Sequence, residues 1–195
     1  SEEESSLDGL GTAGVEITTP FSSSSTTENG GTVSTKVRLK SAPLSPVTIT
    51  LNSSDTQEGT VSPTVLTFNK DNWDSYVSII VTGVDDDIAD GSQSYEIRIA
   101  SVVSEDSKYS ALNGQIDPIK LQNEDDEIKA IVLGSLSGDT TEAGGNATFS
   151  VKLASKPIEA VSIPIISTDT SEGTVNVSSL SFDNSNYNTV QIVTV

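Results

Sequence analysis

The stretch that decides the fold is TENGGTVSTKVRLKSAP, Thr27–Pro43, which returns in altered form as TEAGGNATFSVKLASKP at Thr141–Pro157. The offset of 114 residues holds without a gap from Glu28 to Val195, and 20 of the 54 paired positions are identical. Self-similarity at a fixed spacing indicates that one structural module occurs twice along the chain.

Apolar residues alternate with polar ones inside each copy, which is the pattern of half-buried β-strands. In Val33–Leu39 every second residue is apolar or a threonine, and the residues between are Ser, Lys and Arg. Six further segments are predicted to be strands: Val15–Thr19, Val47–Leu51, one within Thr60–Phe68, Val77–Val81, Tyr95–Ile99 and Gln115–Gln122. Seven strands, A to G, predict an all-β, antiparallel immunoglobulin-like β-sandwich for each module.

The sequence also predicts features of the segments that connect the strands. Ser22–Thr27 is predicted to be a solvated loop between strands A and B, and Ser101–Gly114 to be a long F–G connection with a helical turn. Pro118 implies that the last strand lies at a sheet edge or carries a bulge, because proline cannot donate to a β-ladder. Trp73 and its counterpart Tyr187 are expected to pack over the core.

The repeat also predicts the domain organisation. Residues 1–13 are a linker or the tail of a preceding module, 14–127 the first module, and 128–195 the second. No residues in the second copy correspond to Thr82–Asn123, so we expect it to lack its last strands. Those strands either lie beyond the end of the given sequence or come from a neighbouring chain.

Composition excludes several classes of chemistry. The chain has 28 acidic and 10 basic residues, a net charge of −18, and neither Cys nor His. Thiolate and imidazole catalysis and Cys or His metal sites are therefore excluded, and binding to nucleic acid is disfavoured. With only 5% aromatic residues the chain has few platforms for a sugar, so we expect no enzyme, a carboxylate-pair glycosidase being the alternative. No apolar run approaches ~18 residues, so no membrane insertion is expected in this segment.

The acidic residues are expected to gather at one end of the first sandwich. If its strands run alternately up and down, the A–B, C–D and E–F loops and the end of strand G share one pole without Lys or Arg. That pole receives eleven carboxylates: Glu28, Asp55, Glu58, Asp85, Asp86, Asp87, Asp90, Glu124, Asp125, Asp126 and Glu127. Two carboxylates ~4 Å apart repel by ~1 kcal/mol in water and more when shielded from it. Calcium, which accepts six to eight oxygens, removes this repulsion, and solvated acidic turns are the alternative.

At these residues the chain resembles the Calx-beta family, through TTENGG (26–31), GVDDDIADG (83–91) and NEDDE (123–127). The resemblance implies immunoglobulin-like domains that bind Ca2+, most like the tandem repeats of large bacterial surface proteins. The ligands it implies are Glu28, Asp55, Asp85, Asp86, Asp87, the Ile88 carbonyl, Asp90, Glu124, Asp125 and Asp126. Gln93 stands where the family pattern has a glutamate and the C–D loop is short, so fewer ions or weaker binding are expected.

The function expected from these features is a calcium-binding structural or adhesive repeat of an extracellular, secreted or cell-surface protein. Calcium would stiffen the interdomain junction at Glu124–Glu127. The expected partners are adjacent repeats of the same chain, neighbouring copies in a filament or matrix, or a host or cell-surface ligand. Two alternatives remain open: a filament or matrix subunit completed by strand addition from a neighbouring chain, and an intracellular calcium-regulatory domain.

Overall fold

The structure is a computed structural model that describes residues 11–18 and 24–195, and these residues form two compact units. The first unit contains the described residues up to Asp86 together with Gly91–Asp125, and the second contains Asp87–Asp90 and Asp126–Val195. Most of the predicted linker, 1–10, lies outside the described residues. Among the described residues, none of the helices is long and apolar enough to cross a membrane.

The first unit contains two β-sheets and one short helix. Its elements are β1 Val15–Ile17, β2 Ser25–Thr27, β3 Thr32–Leu39, β4 Val47–Ser53, β5 Gly59–Ser62, β6 Val65–Phe68, β7 Val77–Gly83, β8 Gln93–Val103, α1 Ser107–Ser110 and β9 Ile119–Glu124. One sheet has the strand order β1-β3-β7-β5, and the other has the order β2-β9-β8-β4-β6. Neighbouring strands are antiparallel except β2 and β9, which are parallel.

One apolar core lies between these two sheets, as in a β-sandwich. In β3 the residues Val33, Thr35, Val37 and Leu39 are buried and the residues between them are exposed or half-buried, as the alternation predicts. The other sheet contributes residues such as Ile49, Ile97 and Leu121 to the same core. Burial of apolar surface on both sheets stabilises the unit by roughly 25 cal/mol per Å2 removed from water.

Three of the predictions about strands and loops were wrong in detail. Ser25–Thr27 forms β2 instead of a loop, because it pairs with β9, and the start of that predicted loop lies outside the described residues. The single strand expected within Thr60–Phe68 is two strands, β5 and β6, which belong to different sheets. The last strand begins at Ile119, after Pro118, and lies between β2 and β8, so it is not an edge strand. The predicted helical turn is confirmed as α1.

The second unit is built from five strands in two small sheets. These are β10 Ile131–Leu133, β11 Thr148–Leu153, β12 Val161–Pro164, β13 Ser179–Phe182 and β14 Gln191–Thr194, in the orders β10-β11-β14 and β12-β13. Five apolar side chains are buried in its core: Val151, Leu153, Leu180, Phe182 and Val193. Tyr187 packs against this core and Trp73 against that of the first unit, as predicted.

Strand registers recur at the sequence offset of 114 residues. Val47 pairs with Phe68 between β4 and β6, and Val161 pairs with Phe182 between β12 and β13. The pairing of β11 with β14 repeats that of β3 with β7 in the same way. The register of β10 is displaced by two residues, because Leu153 pairs with Ile131 where the offset would place Lys129. The repeat in the sequence is therefore also a repeat of backbone pairing.

Candidate functional site

A buried polar network holds together the ends of several strands in the first unit. The Thr26 hydroxyl donates to the side-chain oxygen of Asn123 (3.0 Å) and lies 2.8 Å from the Tyr95 hydroxyl. The Asn123 amide donates to the backbone carbonyl of Val84 (2.8 Å), just after β7. Thr26 and Asn123 are fully buried, so these bonds fix β2, β8, β9 and the end of β7 relative to one another.

Close backbone contact at this end of the unit requires glycine at position 83. A Cβ atom on Gly83 would lie 2.3 Å from the Thr27 carbonyl oxygen and 2.4 Å from the Asn123 side-chain oxygen. The Gly83 amide donates to the Gly31 carbonyl (3.0 Å), which ties β7 to the turn after β2. In that turn Gly30 has a φ of 84°, a left-handed conformation that favours glycine. The quoted TENGG sequence thus shapes the loop that carries Glu28.

Two acidic side chains come together beside this network. Glu28 directly follows β2, is 2% exposed, and donates its backbone N–H to the Glu124 carbonyl (3.0 Å). Carboxylate oxygens of Glu28 and Asp125 lie within 4.8 Å of each other. Asp125 also accepts a hydrogen bond from the Gly91 amide. Two like charges this close, one of them removed from water, are unfavourable unless a proton or a cation lies with them.

Glu58 lies at the same end of the unit, although the family resemblance did not include it among the ligands. Its carbonyl accepts the Val84 N–H (3.0 Å), and its carboxylate lies 3.4 Å from the Asn123 amide nitrogen. Burial raises the pKa of the nearby Tyr95 phenol, its hydrogen bond with Thr26 opposes that rise, and the charge of Glu58 adds to it. Strand parity predicts Glu58 at the acidic pole, and Glu58 lies there beside Val84 and Asn123.

The other predicted ligands of the first unit are more exposed. Asp55 makes all its hydrogen bonds in the described part of the chain within its own turn, where its carboxylate accepts the Gln57 N–H (2.9 Å). This is the turn-forming role of aspartate. Asp85 and Glu124 are exposed and Asp86 is half-buried. The structure therefore brings Glu28 and Asp125 together, with Glu58 close by, and leaves Asp55 outside that group.

Four predicted ligands belong to the second unit: Asp87, Ile88, Asp90 and Asp126. There the Asp87 carbonyl accepts the Lys156 N–H (2.7 Å). The Ile88 carbonyl accepts the Asp90 N–H (2.8 Å). The segment Asp87–Asp90 is thus held to the rest of the second unit by a backbone hydrogen bond.

We expect the Tyr187 phenol to lose its proton at a higher pH than an ordinary tyrosine. Desolvation raises its pKa above 10.0, and donation to Asp87 and the charges of Asp87 and Glu127 raise it further. Because the neutral phenol is favoured in the folded state, this contribution to stability is complete below the unfolded pKa and is lost as pH rises through the folded one. Asp87→Asn should lower the pKa of Tyr187, whereas Glu172→Gln should not. A phenolate absorbance titration, referenced to Tyr187→Phe, measures this, and an unchanged pKa in Asp87→Asn would contradict it.

Comparisons with known proteins add no family. No protein-family model matches the chain, and no curated protein matches it. Among solved structures, the chain is similar to a crystal structure of the YadV chaperone, with 12% identity, a TM-score of 0.36, and 92% of this chain and 83% of that chain covered. Domains 5–6 of the S-layer protein SbsC give 15% identity and a TM-score of 0.31, over 93% of this chain and 84% of that one. Likenesses at these TM-scores carry no argument about the site or its function.

Proposed function

We propose that this chain consists of tandem immunoglobulin-like, Calx-beta-like modules that bind calcium and act as a structural or adhesive repeat of an extracellular, cell-surface protein. The observation that carries the proposal is the buried Glu28 carboxylate within 4.8 Å of Asp125. The strand orders β1-β3-β7-β5 and β2-β9-β8-β4-β6 support the immunoglobulin-like part of the proposal.

The donor chemistry of the site suits calcium better than other metals. Carboxylate and carbonyl oxygens are the only strong ligands available, because the chain contains neither Cys nor His. Glu28 and Asp125 supply two carboxylates, and Glu58, whose carboxylate lies 3.4 Å from the Asn123 amide nitrogen, is the candidate for a third. A divalent cation there would offset the mutual repulsion of these groups and the cost of burying Glu28.

The role as a repeat rests on the duplicated module and on the charge of the segment between the units. Glu124–Glu127, four successive acidic residues, carries the chain from the first unit to the second. Mutual repulsion favours an extended, mobile connection, and calcium bound to these residues would reduce that mobility. Extracellular calcium modules bind at ~0.1–1 mM, which suits a site that is filled outside the cell.

Calcium should raise the thermal stability of the 195-residue chain. At ten times a millimolar Kd, one site adds about 1.4 kcal/mol to the free energy of unfolding. For a unit of ~100 residues this corresponds to several degrees in melting temperature. The measurement is thermal unfolding with EDTA and with increasing CaCl2, paired with calorimetric titration of calcium.

Asp71→Asn is the matched control, because Asp71 is an exposed aspartate of the first unit that pairs with Lys70, outside the Glu28 cluster. We expect this variant to keep the full calcium effect. A melting curve that is the same in EDTA and in ~10 mM calcium, together with a flat titration, would refute the proposed function.

A further inference from the structure

Two asparagines of the chain, Asn29 and Asn113, directly precede a glycine. In such a pair the backbone nitrogen of the glycine can attack the side-chain carbon of the asparagine, because the glycine has no Cβ atom in the way. The attack expels ammonia and closes a succinimide ring, which water opens to aspartate or isoaspartate. Both pairs lie in exposed turns, so water reaches each of them. The hydrogen bonds around the two asparagines, however, differ.

The side chain of Asn113 is polarised by a backbone amide. Asn113 lies in the turn between α1 and β9, and its side-chain oxygen accepts the N–H of Val102 (2.9 Å). The ladder between β8 and β9 ends at Ile97, and Asn113 provides the acceptor for this later part of β8. The same oxygen becomes negative when the side-chain carbon is attacked. A fixed N–H donor stabilises that charge as the donors of an oxyanion hole do.

The attacking nitrogen at this site is also available. The Gly114 N–H donates no hydrogen bond to any acceptor in residues 11–18 and 24–195, and Gly114 is exposed. A Cβ atom at Gly114 would meet no other atom within 4 Å, so the space beside this residue is open to water. Removal of the amide proton by hydroxide therefore breaks no hydrogen bond among the described residues.

The nitrogen that would attack Asn29 is held in a hydrogen bond. The side-chain oxygen of Asn29 accepts the Thr27 hydroxyl (2.6 Å), so its carbonyl group is polarised as well. The Gly30 N–H, in contrast, donates to the Thr27 carbonyl (3.1 Å). This bond must break before the nitrogen can attack, which should slow the reaction about two- to tenfold. The turn that carries Glu28 is therefore the protected one of the two.

We propose that Asn113 is a site of spontaneous deamidation in the folded protein, and that the fold protects Asn29 from the same reaction. Hydroxide removes the proton of the Gly114 nitrogen, which then forms a bond to Cγ of Asn113. The bond between Cγ and the side-chain nitrogen breaks, and ammonia leaves with a proton from water, which restores the hydroxide. Water then opens the ring at one of its two carbonyl groups. The inference does not depend on calcium.

The two products should affect the first unit differently. Aspartate at position 113 keeps the oxygen that accepts the Val102 N–H, and its charge strengthens that bond. Isoaspartate carries the main chain through the former side chain, which adds a methylene group to the backbone between Leu112 and Gly114. The Gln115 N–H donates to the Leu112 carbonyl across this step (2.9 Å), and the longer backbone would disrupt that bond. Isoaspartate, but not aspartate, should therefore loosen the connection that follows α1.

The test follows both asparagines in one sample. The 195-residue chain is incubated in mildly alkaline buffer, both folded and unfolded in urea, and conversion at each site is measured by peptide mapping with mass spectrometry. Dividing the rate in the folded chain by the rate in urea removes the effect of the neighbouring sequence. We expect this ratio to be about two- to tenfold higher at Asn113 than at Asn29. Electron-transfer fragmentation of the peptides distinguishes aspartate from isoaspartate.

Asn113→Gln and Asn29→Gln form a matched pair of variants. Glutamine reacts much more slowly, because it would have to close a larger ring. Deamidation adds a negative charge, so ion-exchange chromatography separates the converted chains. After incubation of the folded protein, Asn113→Gln should lose most of this more acidic species, whereas Asn29→Gln should retain it.

Two results, both obtained with the unaltered chain, would overturn the proposal. The first is an absence of conversion at Asn113 in the folded chain over the time in which the unfolded chain reacts. The second is a ratio of folded to unfolded rates that is as high at Asn29 as at Asn113. That outcome would show that the hydrogen bond of the Gly30 amide does not protect its site.

Discussion

Tyr109→Ala should lower the free energy of unfolding of the first unit by about 3–5 kcal/mol, the cost of removing a large buried aromatic side chain. Tyr109 is 1% exposed, and its hydroxyl bonds to Ser41. Because domains are stable by only ~5–15 kcal/mol, a large part of the unit's stability would be lost. Urea denaturation followed by fluorescence measures the effect in this unit alone, since Trp73 is the only tryptophan and packs against the first core.

Tyr109→Phe separates the ring from its hydroxyl. This variant keeps the packing and loses the bonds to Ser41, so we expect a loss of about 1–3 kcal/mol from the carbonyl and amide left without a partner. Tyr76→Phe is the control, because the Tyr76 hydroxyl contacts Glu16 at an exposed position. If Tyr109→Ala cost no more than Tyr76→Phe, Tyr109 would not be the anchor of this part of the core.

Glu28→Gln should abolish most of the calcium-dependent stabilisation while leaving the metal-free chain at least as stable as the unaltered one. The change keeps the shape of the side chain and removes a charge that is 2% exposed and within 4.8 Å of Asp125. Without metal, the like-charge repulsion disappears. With metal, the loss of one charged ligand should weaken calcium binding by about tenfold or more. Thermal unfolding and calorimetric titration, each with EDTA and with calcium, measure both effects.

The repeat provides a matched control for this variant. Glu142 is the counterpart of Glu28 in the second copy and is exposed, so Glu142→Gln should change neither property. Asp125→Asn should reproduce the effect of Glu28→Gln, because it removes the other carboxylate of the pair. Equal responses from Glu28→Gln and Glu142→Gln would show that the Glu28 carboxylate is not a ligand.

Alternation in the sequence predicted the strands whose side chains face a core, and it failed where polar contacts decide the structure. β3 and β7 follow the period of two closely, because every second residue contributes to the apolar interior. β2 has the sequence STT and shows no such pattern. It is a strand because Thr26 is buried among Tyr95 and Asn123 and because β9 pairs with it, and both contacts come from residues about 70–100 positions away.

The candidate site was predictable in part for the same reason. The position of Glu28 and Asp125 follows from which loops share one end of a sandwich, and strand parity is enough to place them. The turn around Asp55 depends on local hydrogen bonds to Gln57 and Gly59, which a count of acidic residues does not reveal. The role of Tyr109 was not predicted either. The long F–G connection predicted a helical turn, but nothing in the sequence indicated that the Tyr109 side chain lies in the core.

Because the strand registers recur at an offset of 114 residues, a strand of one copy can pair during folding with a strand of the other copy. β3 could pair with β14 in place of β7, since Thr35 would then face Val193 instead of Ile79. The entropy of loop closure favours the correct pairing. The wrong partner is nearly four times farther along the chain, so closing the loop to it costs about 1 kcal/mol more. Synthesis from the amino terminus adds to this bias, because β7, β8 and β9 all emerge before β11. Faithful assembly of this protein therefore depends on short connections and on the order of synthesis more than on the chemistry of its strands.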